Sequence, residues 1–346
     1  MPRAPQWVLV RVLSERAEGG RWPGICKLLT DEFAVQNQRG ELCREVQGFC
    51  GSEKALFYYP GVEYPVAQSL QHFSIIQNAN ESRSSPNHRK KPLMQNDSGC
   101  REVAVLKNGH IFNVLRDGRL FHEQPFWDVV QNGQWEPKTF AIIERHCSPD
   151  HVFIDIGAWI GPTTLFAAGI AKHVYAVEPD PVSVVALKKN IALNAGFSHK
   201  ITVFNGCIGD ATGTVTIGNR KEFGNSESSL LFRDGVHQHQ VPSLTFSDFV
   251  TRFAIENCSL IKMDVEGAEI LILPTMIDFL NEYKPDFLVS FHKPIYGGCA
   301  AHVVEIMFDI LKSIYPCLYT TDGCLVEHIS SIDEPLFDLF ATCSTW

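Results

Sequence analysis

The 346-residue chain has no apolar run long enough to span a bilayer. Its first residues, Met1-Pro2-Arg3-Ala4-Pro5-Gln6-Trp7, lack the apolar core of a signal peptide. It has no surplus of positive charge: 30 Lys and Arg stand against 39 Asp and Glu, a net charge of −9. That balance argues against a nucleic-acid surface as the main partner. There is no Cys-x-x-Cys. The 11 cysteines are odd in number and irregularly spaced, which favours reduced thiols in a cytoplasmic compartment over a disulfide scaffold or zinc site. Cys26, Cys43, Cys50 and Cys100 match no zinc spacing. In such a compartment the Asn-x-Ser matches at Asn80, Asn96 and Asn257 are chance. The composition is 45% hydrophobic and 20% charged, ordinary for a globular protein. The length allows one large α/β domain and an extra segment.

The extra segment is N-terminal. Trp7 to Leu13 reads as a strand, and beyond it glycines and prolines divide the chain into short pieces. Residues 78–101 are polar and carry Arg89-Lys90-Lys91-Pro92, the composition of a linker. Residues 1–100 are therefore expected to be an N-terminal extension and residues 102–346 the main domain. Lys107-Asn108-Gly109 between two apolar runs predicts a hairpin. With a helix from about Thr139 to Cys147, it makes residues 102–150 a cap on the core at 151–346. Trp135 and Glu136 fall where they could touch a ligand, but packing at the sheet edge is the simpler expectation.

The core is organised around His151 to Thr164. Val152 to Ile156 suits a buried parallel strand. Gly157 and Gly161 bracket a turn where backbone must approach something closely. Pro162 fits the first turn of a helix. Free N–H groups of this turn are expected to face a ligand across the strand ends. A second strand, His173 to Val177, ends on Glu178, placed to accept hydrogen bonds from both hydroxyls of a ribose.

Strand and helix then alternate, as in a doubly wound sheet. Further strands are expected at Ile201–Phe204, Thr214–Ile217, Leu260–Asp264 and Phe287–Phe291, and a closing hairpin at Leu318–Thr321 and Leu336–Thr342. A polar loop fills Gly218 to Val236. Pro274 should kink or divide the helix from Ala268 to Leu280. Ligands of such sheets lie beyond the carboxyl ends of the strands, where Asp155, Glu178, Asp264 and His292 would meet. Lys262 and Asp264 share one face of their strand, and Glu266 falls at the following turn.

Three stretches together resemble the FkbM-type methyltransferases: Asp155 to Thr164, Val177-Glu178-Pro179-Asp180-Pro181, and Lys262-Met263-Asp264-Val265-Glu266-Gly267-Ala268-Glu269. The asparagines at Asn190 and Asn194 fit the same pattern, and the resemblance covers roughly residues 126–300. It implies a mostly parallel, Rossmann-like class I methyltransferase sheet with an antiparallel C-terminal hairpin. It also implies S-adenosylmethionine as cofactor and methyl transfer to a hydroxyl of a sugar or other natural product. Asp155, Gly157, Ala158, Gly161 and Glu178 would serve the cofactor, with Asp210 toward the adenine. Trp159-Ile160 departs from the family pattern, where a small polar residue is common.

A sulfonium methyl is already electrophilic, so the protein mainly aligns it. The acceptor hydroxyl needs a base within reach. Asp264, Glu266 and His292 are the candidates, with His292 or Asp264 favoured as base and Glu266 positioning the acceptor. The carboxylates could instead bind a divalent cation. No complete ligand set is visible, so no metal is assigned. Two other classes stay open: an NAD-dependent oxidoreductase, and a non-catalytic binding module. The first should show Gly-x-Gly-x-x-Gly, whereas this turn has Gly-x-x-x-Gly. The intact strand-end acids argue against the second. The expected partner is a small-molecule or glycan acceptor.

Overall fold

The computed structural model describes residues 47–50, 53–56, 101–116, 126–233 and 237–346. The chain divides into Met1–Gln95 and Asn96–Trp346. In the first unit, β1 (Gln47–Cys50) pairs antiparallel with β2 (Glu53–Leu56). The expected strand at Trp7–Leu13, the linker at about 78–100 with its basic cluster, and the side chains of Cys26, Cys43, Cys50 and Cys100 lie outside what is described.

The second unit opens with the expected hairpin, β3 (Arg101–Lys107) and β4 (His110–Arg116), paired antiparallel. Asn108 and Gly109 both take positive φ, which suits a tight two-residue turn. The inner face of the hairpin, Val105, Phe112 and Val114, packs on α1 (Phe126–Gln131) and α2 (Pro137–His146). Helix α1 was not expected: six residues are too few to show helical periodicity. The hairpin edge is held by a helix. In α4 (Ser183–Ala192) and just beyond it, Asn190 Oδ1 accepts the Leu115 N–H at 2.8 Å and Asn194 Oδ1 the Asn113 N–H at 2.7 Å. Asn194 Nδ2 returns a bond to the Asn113 carbonyl at 2.8 Å. Two side-chain amides thus occupy the place of a neighbouring strand.

β5 (Val152–Ile156) is buried along its whole length and lies inside a seven-stranded sheet, next to its central strand. After α3 (Pro162–Ala168) come β6 (His173–Val177) and, beyond α4, β7 (Ile201–Phe204). Next in the chain are a small three-stranded sheet of β8 (Cys207–Ile208), β9 (Gly213–Asn219) and β10 (His237–Leu244), and α5 (Phe246–Phe253). β11 (Cys258–Met263), α6 (Glu269–Tyr283), β12 (Asp286–His292), α7 (Ala300–Ile314), β13 (Cys317–Thr320) and β14 (Leu336–Thr342) complete the chain. The strand order is β13-β14-β12-β11-β5-β6-β7, with β14 antiparallel to both its neighbours. The doubly wound, mostly parallel sheet and its antiparallel closing hairpin are as expected. Register places Ile156 beside Val177 and Met263, so β5, β6 and β11 end together, while β12, with Val289 beside Met263, runs on to His292.

Of the two outcomes expected at Pro274, division is not seen: α6 runs as one helix across it. The lost backbone bond costs less than the burial of Leu271, Ile272, Leu273, Met276 and Leu280 returns. One stretch bears on the expected absence of a membrane-spanning run. Lys293–Ile314 is long and apolar enough, by length and composition, to cross a membrane. In the fold it is two pieces, separated at Gly297 by non-helical backbone. Val303, Val304, Met307, Phe308, Leu311 and Ile314 form the buried stripe of α7, with exposed Ala301, His302, Lys312 and Ser313 around it. That is the periodicity of a core helix.

Candidate functional site

A cavity of about 330 Å³ opens at the joined ends of β5, β6, β11 and β12. One of its ends is built largely from backbone. Glu178, nearly buried, comes directly after β6, and its carboxylate accepts the Trp159 N–H at 2.6 Å on Oε2 and the Asp180 N–H at 2.7 Å on Oε1. Each oxygen keeps a lone pair for a further donor. Burial, with the nearby Asp180 carboxylate adding to it, pushes the Glu178 carboxyl up to about 8 against those two bonds. Such a group gains most from a ligand that brings hydroxyl donors or positive charge.

Four N–H groups of the turn after β5, those of Gly157, Ala158, Trp159 and Gly161, are bonded within the protein instead of facing a ligand. The N–H groups of Gly157 and Ala158 both donate to the Val177 carbonyl at 3.0 Å, and that of Gly161 to Ala158 at 2.9 Å. With Trp159 bound to Glu178, the turn is tied to the end of β6. Its glycines answer to protein neighbours. At Gly157 (φ +90°) a Cβ would stand 1.8 Å from the Asp264 carbonyl oxygen. At Gly161 (φ +98°) it would meet Leu187 at 2.6 Å.

Asp180, just beyond Glu178, joins three segments. Its Oδ1 accepts the N–H groups of Val182 and Ser183 at the start of α4, at 2.8 and 3.0 Å. Its Oδ2 accepts from the Gly224 N–H at 3.0 Å and the Ser228 hydroxyl at 2.6 Å. The Trp159 indole N–H donates to the Gly224 carbonyl at 3.1 Å. The loop after β9 is thereby drawn over the cavity, where Asn225, Ser226, Ser228, Ser229 and Leu230 form part of the wall. Cys207, Ile208 and Ile217 add an apolar side.

The other end is built from charged side chains. Lys262 Nζ lies 3.2 Å from Asp264 Oδ2. Burial opposes the lysine's charge, but Asp264, Glu136 and Asp155 outweigh it and hold the amine above its ordinary range. Burial also opposes the charge of Asp264, yet Lys262 and His292 keep its carboxyl below the usual carboxylate range. His292 Nε2 lies 3.5 Å from Asp264 Oδ1 and 3.6 Å from Glu266 Oε1, and its Nδ1 lies 3.3 Å from Glu269 Oε1. Burial would discharge this imidazole, but the bond to Glu269 and the charges of Asp264 and Glu266 raise it to about 9. Burial lifts Glu266 to about 7, against the pull of His292. Burial likewise lifts Glu136 to about 7, against Lys262.

Of the residues singled out in the sequence, Gly157, Ala158, Glu178, Asp264, Glu266 and His292 line the cavity. Three do not. Asp155 is fully buried behind the wall, where its Oδ2 accepts the hydroxyls of Thr163 and Thr164 at 2.8 and 2.6 Å. Gly161 faces Leu187, and Asp210 is exposed in the loop after β8. Trp135 and Glu136, for which ligand contact was the less simple of two expectations, are wall residues, and Phe126 stands with them. Phe126 meets Trp135 and Trp159 edge to face at 5.2 and 4.7 Å. The serines and Asn225 gave no sequence signal, since a polar loop has no periodicity to read. Asp264, Glu266 and His292 present ligand atoms within 4.8 Å of one another, but a cation there would have to displace the proton that His292 holds.

Residues 155–315 match the family model described as "Methyltransferase FkbM domain". A curated protein, "Probable histone-arginine methyltransferase 1.3" of Arabidopsis thaliana, is 38% identical over 96 residues. That match covers 27% of this chain and 17% of the relative, so the chain spans about a sixth of that protein's length. A solved FkbM methyltransferase of Methylobacillus flagellatus KT is similar at 20% identity and a TM-score of 0.39, over 56% of this chain and 44% of that one. The T. thermophilus 16S rRNA N2 G1207 methyltransferase, solved with AdoMet and guanosine, is similar at 16% identity and a TM-score of 0.36, over 74% and 53%.

Proposed function

Taking as premise a chain whose residues 155–315 are a methyltransferase FkbM domain, we propose that it moves a methyl group from S-adenosylmethionine to a hydroxyl oxygen of a sugar or another small natural product. The observation that carries this reading is Glu178: a nearly buried carboxylate with no cation on it among the described residues, both oxygens already oriented by backbone N–H groups, directly after β6. Ribose hydroxyls are the donors it lacks. Ile208, Ile217 and Leu230 fit an adenine between apolar side chains. When bound, the cofactor supplies an electrophilic methyl on sulfonium. Asp264 and Glu266 would face that positive charge, and Phe126, Trp135 and Trp159 would help exclude water.

The acceptor hydroxyl would lie beside Glu266 and His292. As its oxygen bonds to the methyl carbon, its proton must leave to a base. His292 already holds a proton below about pH 9 and Asp264 is pinned as an anion by Lys262, so neither suits. Glu266, raised to about 7, is the carboxylate matched to the task. This reverses the roles expected from sequence, with His292 now holding the two carboxylates in place. Among the described residues lining the cavity, the cations are Lys262 and His292, each beside carboxylates. That supports an uncharged acceptor over one bearing phosphate. The test has two steps. Isothermal titration with S-adenosylhomocysteine and with NAD should show binding of the first alone. A screen with labelled methyl donor should then label neutral glycans or glycosides. Binding of NAD alone, or label transferred only to RNA or protein, overturns the reading.

A further inference from the structure

We propose that Glu269 and Tyr296 act as a positioning pair that fixes the ring of His292, so that Nε2 faces Asp264, Glu266 and the acceptor. The inference rests on reading that corner as the acceptor site. Glu269 is the first residue of α6 and is fully buried, yet it does not line the cavity. A carboxylate so placed is costly unless its oxygens are bonded. Here they are. Oε2 accepts the Tyr296 hydroxyl at 2.8 Å, and Oε1 accepts the Val265 N–H at 3.3 Å while facing His292 Nδ1 at 3.3 Å.

Tyr296 is itself buried and absent from the cavity wall. Burial, reinforced by Glu269, holds its phenol far above the ordinary value, so it stays a donor. Its other neighbour is the Gly267 carbonyl, 3.0 Å away, which cannot give a proton back. The hydroxyl has one proton and two acceptors; the shorter, charged contact is to Glu269 Oε2, so a Glu269 that swung from the imidazole would leave Tyr296 only the Gly267 carbonyl. His292 is the last residue of β12. Its backbone fixes where the ring starts, and Glu269 fixes how the ring is turned. Neither Glu269 nor Tyr296 can touch an acceptor; both act through His292. His292 is thereby set as a fixed cation beside Asp264 and Glu266, turned by a carboxylate that is itself held by Tyr296.

The test uses the full chain with ¹⁵N-labelled histidine. Long-range ¹H–¹⁵N spectra are taken at one pH near neutrality, and the His292 signals are assigned by their loss in His292→Gln. In the unaltered protein, Nδ1–H should resonate far downfield and exchange slowly. In Glu269→Gln that proton should move upfield and exchange about tenfold faster, as for the loss of one hydrogen bond. Tyr296→Phe should move it the same way by less. A carboxylate with a purely structural role would lower the melting temperature and leave this resonance in place. An unchanged Nδ1–H in Glu269→Gln overturns the proposal; if that variant does not fold, an unchanged Nδ1–H in Tyr296→Phe does so. The readout needs neither cofactor nor acceptor. Shifted spectra with no methyl transfer would remove the proposed function and leave the positioning pair, and the converse result would do the reverse.

Discussion

Two carboxylates end neighbouring parts of one sheet, and they are held in opposite ways. Glu178 is fixed by main-chain N–H groups, with Asp180 and Asp155 as its charged neighbours. Glu266 is fixed by side chains, beside His292 and within reach of Asp264 and Glu269. A backbone cradle depends on the fold of the turn and is indifferent to most single side-chain changes around it. A side-chain cluster has each member's charge set by the others, so one substitution or a change of pH is felt by all. In the proposed function the first construction would hold the cofactor and the second the group that takes and releases a proton.

The largest expected effect would test the division of labour directly. Glu266→Gln should lower turnover by about 10²–10⁴-fold, while S-adenosylhomocysteine affinity stays near that of the unaltered protein. Single-turnover kinetics with an acceptor from the screen, beside a binding isotherm, would measure both. Equal turnover would return Glu266 to a positioning role. The pH profile sharpens the same point. Glu266 must be ionised and His292 protonated, so kcat/KM should rise through about 7 and fall through about 9. A flat profile across that window would break the pairing.

The backbone cradle should fail at its glycine. Gly157→Ala places a Cβ against the Asp264 carbonyl in a left-handed conformation, and strain of this kind costs about 1–3 kcal/mol before any clash. Thermal melting should show the loss, together with weaker S-adenosylhomocysteine binding. Glu178→Ala should cost about 1.5–3 kcal/mol of that binding with a smaller change in melting, read by isothermal titration. An unchanged dissociation constant would remove Glu178 from the cofactor site.

Stability against pH gives a slower, cumulative effect. His292 has its pKa raised from 6.5 to about 9, so its stabilising contribution is complete below 6.5 and lost as pH rises through 9. Glu266 and Glu178 are raised from 4.5 to about 7 and about 8; their contributions too are present at low pH and lost on the way up. Asp264, lowered from 3.8, acts oppositely and only in acid. The ligand-free protein should therefore melt progressively lower between about pH 5 and 9. Bound S-adenosylhomocysteine should lessen the part due to Glu178. The smallest effect concerns the proposed boundary. On composition alone, proteolysis should cut first within residues 78–101 and leave 102–346 folded.

The sequence by itself determined the strand–turn–helix at 151–164, the carboxylate after the second strand, the Asn-Gly hairpin and the placing of Lys262 and Asp264 on one strand face. These are local: they result from apolar runs, turn chemistry and the two-residue period of a strand, all of which act over a few residues. The tertiary structure decided the rest. It set Asp155 behind the wall, brought Trp135, Glu136 and the loop at 225–230 into it, and carried the 15-residue helix across Pro274 without a break. The proposed exchange of roles between Glu266 and His292 has the same origin. Whether Glu266 or His292 takes a proton depends on burial and on which charges stand a few ångströms away. Those neighbours come from β11, α6 and β12, and only packing brings them together.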